Sequence, residues 1–155
     1  MQKTALAART EMLIRRPVAE VFDAFIDPRK TSKFWFSSGS GRLEVGKRVQ
    51  WRWDMYDLKV DVDVKALEPN RRIIVDWSAG EAPTTIAWHF TPHSGDTTFV
   101  SITNSGFTGD EQSIIKQALD STEGFTFVLA GLKAYLEHGV RLNLVRDRHP
   151  GGLQS

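Results

Sequence analysis

Apolar side chains recur at helical spacing through residues 110–138. Ile114, Ala118, Thr122, Phe125, Leu129, Leu132 and Leu136 form one stripe, widened by Ile115, Leu119, Val128 and Tyr135. At 1.5 Å per residue the run predicts a helix on the order of 40 Å long. Its start is marked either by Thr108 with Glu111 as a capping box or by Asp110 as the cap itself, and its stop by Gly139. So wide a stripe needs a broad apolar partner, and the chain before it reads mostly as strands.

Residues 5–15 alternate, with Leu6, Ala8, Met12 and Ile14 on one side and Arg9, Glu11 and Arg15 on the other. After Pro17 the spacing of Val18, Val21, Phe22 and Phe25 predicts a short helix. Asp27-Pro28 ends it and opens a second short helix running through Phe34, Trp35 and Phe36. Residues 37–41, rich in Ser and Gly, read as a flexible turn or loop. Five strands follow. Val49, Trp51, Trp53 and Met55 share one face of the first. Val60, Val62, Val64 and Ala66 share a face of the second, and Ile73, Val75 and Trp77 of the third. Ile86, Trp88 and Phe90 mark the fourth, and Val100 and Ile102 the fifth, where Phe99 faces the other way. Gly46 would split the region before Lys47 from the first of these and add one more strand. Each strand keeps one wet face and each connection is short, which predicts an antiparallel sheet. The expected fold class is α+β: a curved antiparallel sheet of six to seven strands around one long C-terminal helix, with two short helices after the first strand.

Several stretches carry a family likeness. Arg15-Arg16-Pro17-Val18-Ala19-Glu20-Val21-Phe22, Glu68-Pro69-Asn70-Arg71-Arg72-Ile73-Ile74-Val75-Asp76-Trp77 and Phe90-Thr91-Pro92-His93-Ser94-Gly95-Asp96-Thr97-Thr98-Phe99 are three. Asn104-Ser105-Gly106-Phe107 and Gly124-Phe125 are two more. Together they resemble the START and Bet v 1-like (SRPBCC) superfamily, in its Aha1-type branch, named for activators of the Hsp90 ATPase. Phe125 stands where that branch often has Trp, and Val45-Gly46 where it often has Gly-Gly. The resemblance implies a helix-grip fold. It carries no universal catalytic set, and its members include hydrophobic-ligand carriers, cyclases and co-chaperone domains.

Composition narrows the function classes. The 155 residues read as a single domain, residues 1–155, with a core over 5–138 and a tail that frays at its end. With 20 basic and 19 acidic residues, the net charge of +1 offers no field for nucleic acid or an anionic membrane. Cysteine is absent, which removes disulfides and thiolate chemistry. No segment approaches a membrane span or a signal-peptide core, so the expected location is the cytoplasm.

The aromatic inventory is the strongest functional signal: five Trp and nine Phe against two Tyr. Trp35, Trp51, Trp53, Trp77, Trp88, Phe90, Phe125 and Leu129 are the expected lining of a cavity between helix and sheet, if the strands hold their parity. The same rings could instead fill the core. Gly124 and Gly131, two turns apart, mark either cavity volume or a close approach of helix and sheet. His89 and His93 lie on a strand and its turn with no third ligand in view, so no metal site is expected. Asp61 and Asp63 read as solvated, whereas Asp54, Asp57 and Asp76 read as partners for Arg48, Arg52, Arg71 or Arg72. Arg48 and Arg52 alternate with Trp51 and Trp53, which places charge and stacking groups on opposite faces and argues against nucleic-acid binding. No Gly-x-Ser-x-Gly, His-Glu-x-x-His or phosphate loop is present, and no cofactor is called for. Three functions follow as expectations. The first is a site for a small hydrophobic ligand. The second is a module that contacts a chaperone, another protein or a second copy of the chain as a homodimer. The third is a cyclase-like enzyme with a buried acid or base such as Tyr135, Asp54 or His89.

Overall fold

The structure, a computed structural model, describes residues 6–153. Ala5, at the start of the first expected strand, and the last two residues of the tail lie outside the described residues. Strand β1 (Ala8–Ile14) leads into α1 (Val18–Ile26) and α2 (Pro28–Thr31), followed by β2 (Ser38–Gly39), β3 (Arg48–Trp53), β4 (Leu58–Glu68), β5 (Arg72–Ser78), β6 (Thr84–His93) and β7 (Thr97–Ser105). The long helix α3 (Glu111–His138) comes next, then a short α4 (Leu144–Arg148). All pairings are antiparallel, in the order β1-β7-β6-β5-β4-β3-β2. This is the helix-grip arrangement of a curled seven-stranded sheet around one long helix.

Period-2 alternation fixes which side chains reach the interior. Val49, Trp51 and Trp53 on β3, Val60, Val62 and Val64 on β4, Ile86, Trp88 and Phe90 on β6, and Val100 and Ile102 on β7 are all buried. They face Phe125, Val128, Leu129 and Leu132 of α3 and Phe22 and Phe25 of α1. Arg48 and Arg52 stay exposed on the opposite face. Asp110 proves to be the cap of α3: its carboxylate accepts from the Ser113 N–H at 2.8 Å. Gly139 closes the helix at φ 68°, donating its N–H to Ala134 and Tyr135 carbonyls. The stripe is narrower than its spacing suggests, because Ile115 and Leu119 remain exposed.

Local chemistry overturns other expectations. The second helix stops at Thr31, well before Phe34: past it the Lys33 and Phe34 N–H groups donate to the Lys30 and Thr31 carbonyls, a tightened turn, and the Thr31 hydroxyl ties that turn to the Ala24 carbonyl of α1. Phe34, Trp35 and Phe36 thereby leave helical geometry and drop into the core. Residues 37–41 are not a free loop. Ser38 and Gly39 pair with Arg52 and Trp51 as an edge strand, and the Ser37 and Ser40 N–H groups donate to the Arg52 and Gln50 carbonyls. The extra strand expected over residues 43–45 does not form, and Gly46 after it sits in a turn at φ 80° and donates to the Val64 carbonyl. Met55 lies in a 3-10 turn at residues 54–56 rather than on β3. A bulge between Val64 and Ala66 flips parity, so that Ala66 opposes the outward Ile74 and Leu67 opposes the buried Ile73.

Candidate functional site

Trp35 is the hub of the interior. Its ring centroid lies 4.9 Å from Trp51, 6.0 Å from Trp53 and from Trp77, 6.1 Å from Trp88 and 5.7 Å from Phe125. Most of these contacts are edge-on, the geometry that ring quadrupoles favour, each worth roughly 0.5–1.5 kcal/mol beyond burial. Phe36 stacks on Trp51 at 5.1 Å and so joins the same cluster. Seven of the eight residues expected to line a cavity are buried, and Trp77 is half-buried. Phe90 stands apart, packed on Phe22 and Phe25 on the α1 side. The rings meet face to edge and occupy the space between α3 and the sheet themselves. Two indole N–H groups differ in their partners. Trp77 donates to the Thr84 hydroxyl at 2.9 Å, whereas the Trp88 donor is buried with no partner among the described residues, a state that costs about 1–3 kcal/mol.

Outside Trp35 lies a groove of about 260 Å³, lined by residues 32–37, 54, 55, 131 and 141–146. One wall is the Phe34–Trp35–Phe36 run. The other is the segment after Gly139, which folds back along α3. There the Val140 N–H donates to the Ala134 carbonyl, the Tyr56 hydroxyl donates to the Val145 carbonyl, and Arg148 pairs with Glu123. Burial pushes the Tyr56 hydroxyl above its ordinary pKa. Gly131 forms part of the floor because α3 passes close to the chain here: a Cβ would meet the Phe34 carbonyl oxygen at 3.2 Å. Gly124 has open space instead, so close approach explains only one of the two glycines.

The residues proposed for acid–base work are not enclosed. Asp54 and His89 are exposed, and Tyr135 is half-buried with its ring over Phe34 at 6.3 Å. The buried carboxylate is Asp27, which accepts from the Arg29 backbone and guanidinium. The Arg29 hydrogen bonds hold it below the usual carboxylate range. Burial alone would raise Glu137, but hydrogen bonds from Lys133 and from the Arg15 N–H outweigh it and bring its pKa down. Both are structural ties. Asp63 pairs with Arg48 rather than standing solvated, Arg72 pairs with Glu68, and Asp76 accepts from the Thr85 hydroxyl. His89 and His93 are exposed, and among the described residues no three metal-ligating side chains cluster. Nor is any helix among them long and apolar enough to cross a membrane.

Sequence reasoning missed Phe36 and the groove. The aromatic run itself was the available signal for Phe36, obscured by reading residues 34–36 as helix. Residues 141–146 carry no periodic signal at all.

Residues 15–137 match the family model described as "Activator of Hsp90 ATPase homolog 1-like protein". The chain belongs to this family. Protein SSP2350 from Staphylococcus saprophyticus shares 37% identity with a TM-score of 0.77, over 88% of this chain and 96% of that one. The Aha1 dimer from Colwellia psychrerythraea, at 20% identity and TM-score 0.72, matches over 86% and 98%. DynU16, from the dynemicin biosynthetic locus, gives 20% and 0.73 over 87% of this chain and 48% of that one. The last two show a shared fold alone. Among curated protein sequences none matches significantly.

Proposed function

We propose that the protein binds a small, flat, apolar or aromatic molecule in the groove outside Trp35, between the Phe34–Trp35–Phe36 run and residues 141–146. The observation that carries this reading is the position of Trp35. It is at once the hub of the indole cluster and a wall of the groove, so a ligand seated there stacks on a surface held rigid from behind. The test is saturation-transfer NMR with calorimetry, using 2-naphthamide as a neutral aromatic probe. Saturable binding that weakens by about tenfold in Trp35→Ala, the loss expected when a stacking surface worth roughly 1–1.5 kcal/mol disappears, supports the reading. Absence of saturable binding up to the probe's solubility sinks it.

A second reading takes the outer face of α3 as a contact for a chaperone. Ile115 and Leu119, one turn apart and 44% and 67% exposed, favour it, as does an interior occupied by its own rings. On this reading the protein raises the ATP hydrolysis rate of an Hsp90 and Leu119→Glu abolishes the increase. An unchanged hydrolysis rate with the unmodified protein removes it.

A further inference from the structure

The groove beside Trp35 has a chemistry of its own. Its apolar side is built from Trp35, Phe36, Met55, Leu142 and Leu144, while Lys33, Arg141 and Arg146 also line it. Against these three cations stands one carboxylate, Asp54. Across the whole chain basic and acidic residues balance at 20 to 19, so the excess is local.

Nearby basic side chains have partners. Lys30 and Arg42 pair with Asp23, Arg48 with Asp63, and Arg148 with Glu123. Lys33, Arg141 and Arg146 form no ion pair among the described residues, although Asp54 lines the same groove. Three like charges brought to one concavity repel each other, and an anion resting between them relieves that repulsion. Arginine adds geometry, since its planar fork matches a carboxylate or sulfonate and its face stacks on flat rings.

We infer that the groove takes a small aromatic acid, its flat body against Trp35 and its anionic group at Lys33, Arg141 and Arg146. The inference rests on the pocket reading above and adds the charge of the ligand. A volume of about 260 Å³ lies just under the span typical of drug-sized ligands, which suits one or two rings. A cation of the same shape would meet three like charges. A neutral molecule would gain the apolar contact and nothing more.

The test compares 2-naphthoate with 2-naphthamide by calorimetry, because the two share a shape and differ in charge. The acid should bind about tenfold more tightly at low salt, with the gap closing as salt rises, as expected for partly exposed charges. In the Arg141→Gln, Arg146→Gln double variant the affinity for the acid should fall to that for the amide. Asp54→Asn, at an exposed position, should tighten the acid several-fold and leave the amide unchanged. Near-UV circular dichroism checks that each variant keeps its packed aromatic core. Equal affinities in the unmodified protein, or a preference that survives the double substitution, overturn the inference and leave the pocket reading standing. Failure of both probes to bind overturns the two together.

Discussion

Gly124 and Gly131 look alike in the sequence, two turns apart on one helix, yet a methyl group would meet different surroundings at each. At Gly124 a Cβ finds nothing within 4 Å, so Gly124→Ala should raise stability by about 0.5–1 kcal/mol through helix propensity alone. At Gly131 it meets the Phe34 carbonyl oxygen at 3.2 Å and the Phe34 Cβ at 3.3 Å, both held in the core. Gly131→Ala should forfeit that gain and lower the denaturant midpoint. Equal midpoint shifts for the two variants would contradict the close approach. The same contrast marks the limits of reading residues singly. Alternation placed Trp51, Trp53 and Trp88 inward correctly, because a strand's side-chain period is rigid. It could not tell that Trp35, outside any strand, would become the centre of their cluster.

At the scale of elements, strong periodicity transferred well and short segments did not. Over the 28 residues of α3 the stop at Gly139 appears as read, the start falls at Asp110, one of the two caps offered, and the stripe is present but narrower than read. Ile115 and Leu119 did not bury although Ala118 between them did, because they lie to one side of the row Ala118, Phe125, Leu129 and Leu132 that meets the sheet. The four-residue α2 and the two-residue β2 had no period to show. They are defined by the tightened backbone turn at Lys33 and Phe34 and by pairing with β3, which are contacts of particular atoms rather than of pattern. The bulge after Val64 belongs to the same class: one extra residue moved Ala66 outward without disturbing the hydrophobic count. Helix α4 exists because Tyr56, Glu123 and Ala134 hold the returning chain.

At the scale of the molecule, Glu137 ties the end of α3 to the end of β1. Its carboxylate accepts from the Arg15 N–H at 2.9 Å and from Lys133, whose ammonium also donates to the Leu13 carbonyl at 2.8 Å. The folded state holds Glu137 below its ordinary pKa, so the unfolded chain takes up its proton first as pH falls. The stability it contributes is therefore complete above the ordinary glutamate pKa, and is lost as pH drops from about 5 through the folded value. Asp27, held low by Arg29, acts in the same direction. Glu137→Gln should lower stability near neutrality and flatten the acid limb of a plot of unfolding free energy against pH. A limb of unchanged slope would show that the tie contributes nothing. By itself the sequence determined what depends on short-range period and composition. That comprises the antiparallel strands with their inward faces, the long capped helix, and an interior rich in indoles. Only the tertiary structure decided how those indoles would be used, because ring contacts at 5–6 Å join residues far apart in the chain. Folding back residues 141–146 beside Trp35 left a groove whose lining includes Lys33, Arg141 and Arg146, a set that no single stretch of the chain contains.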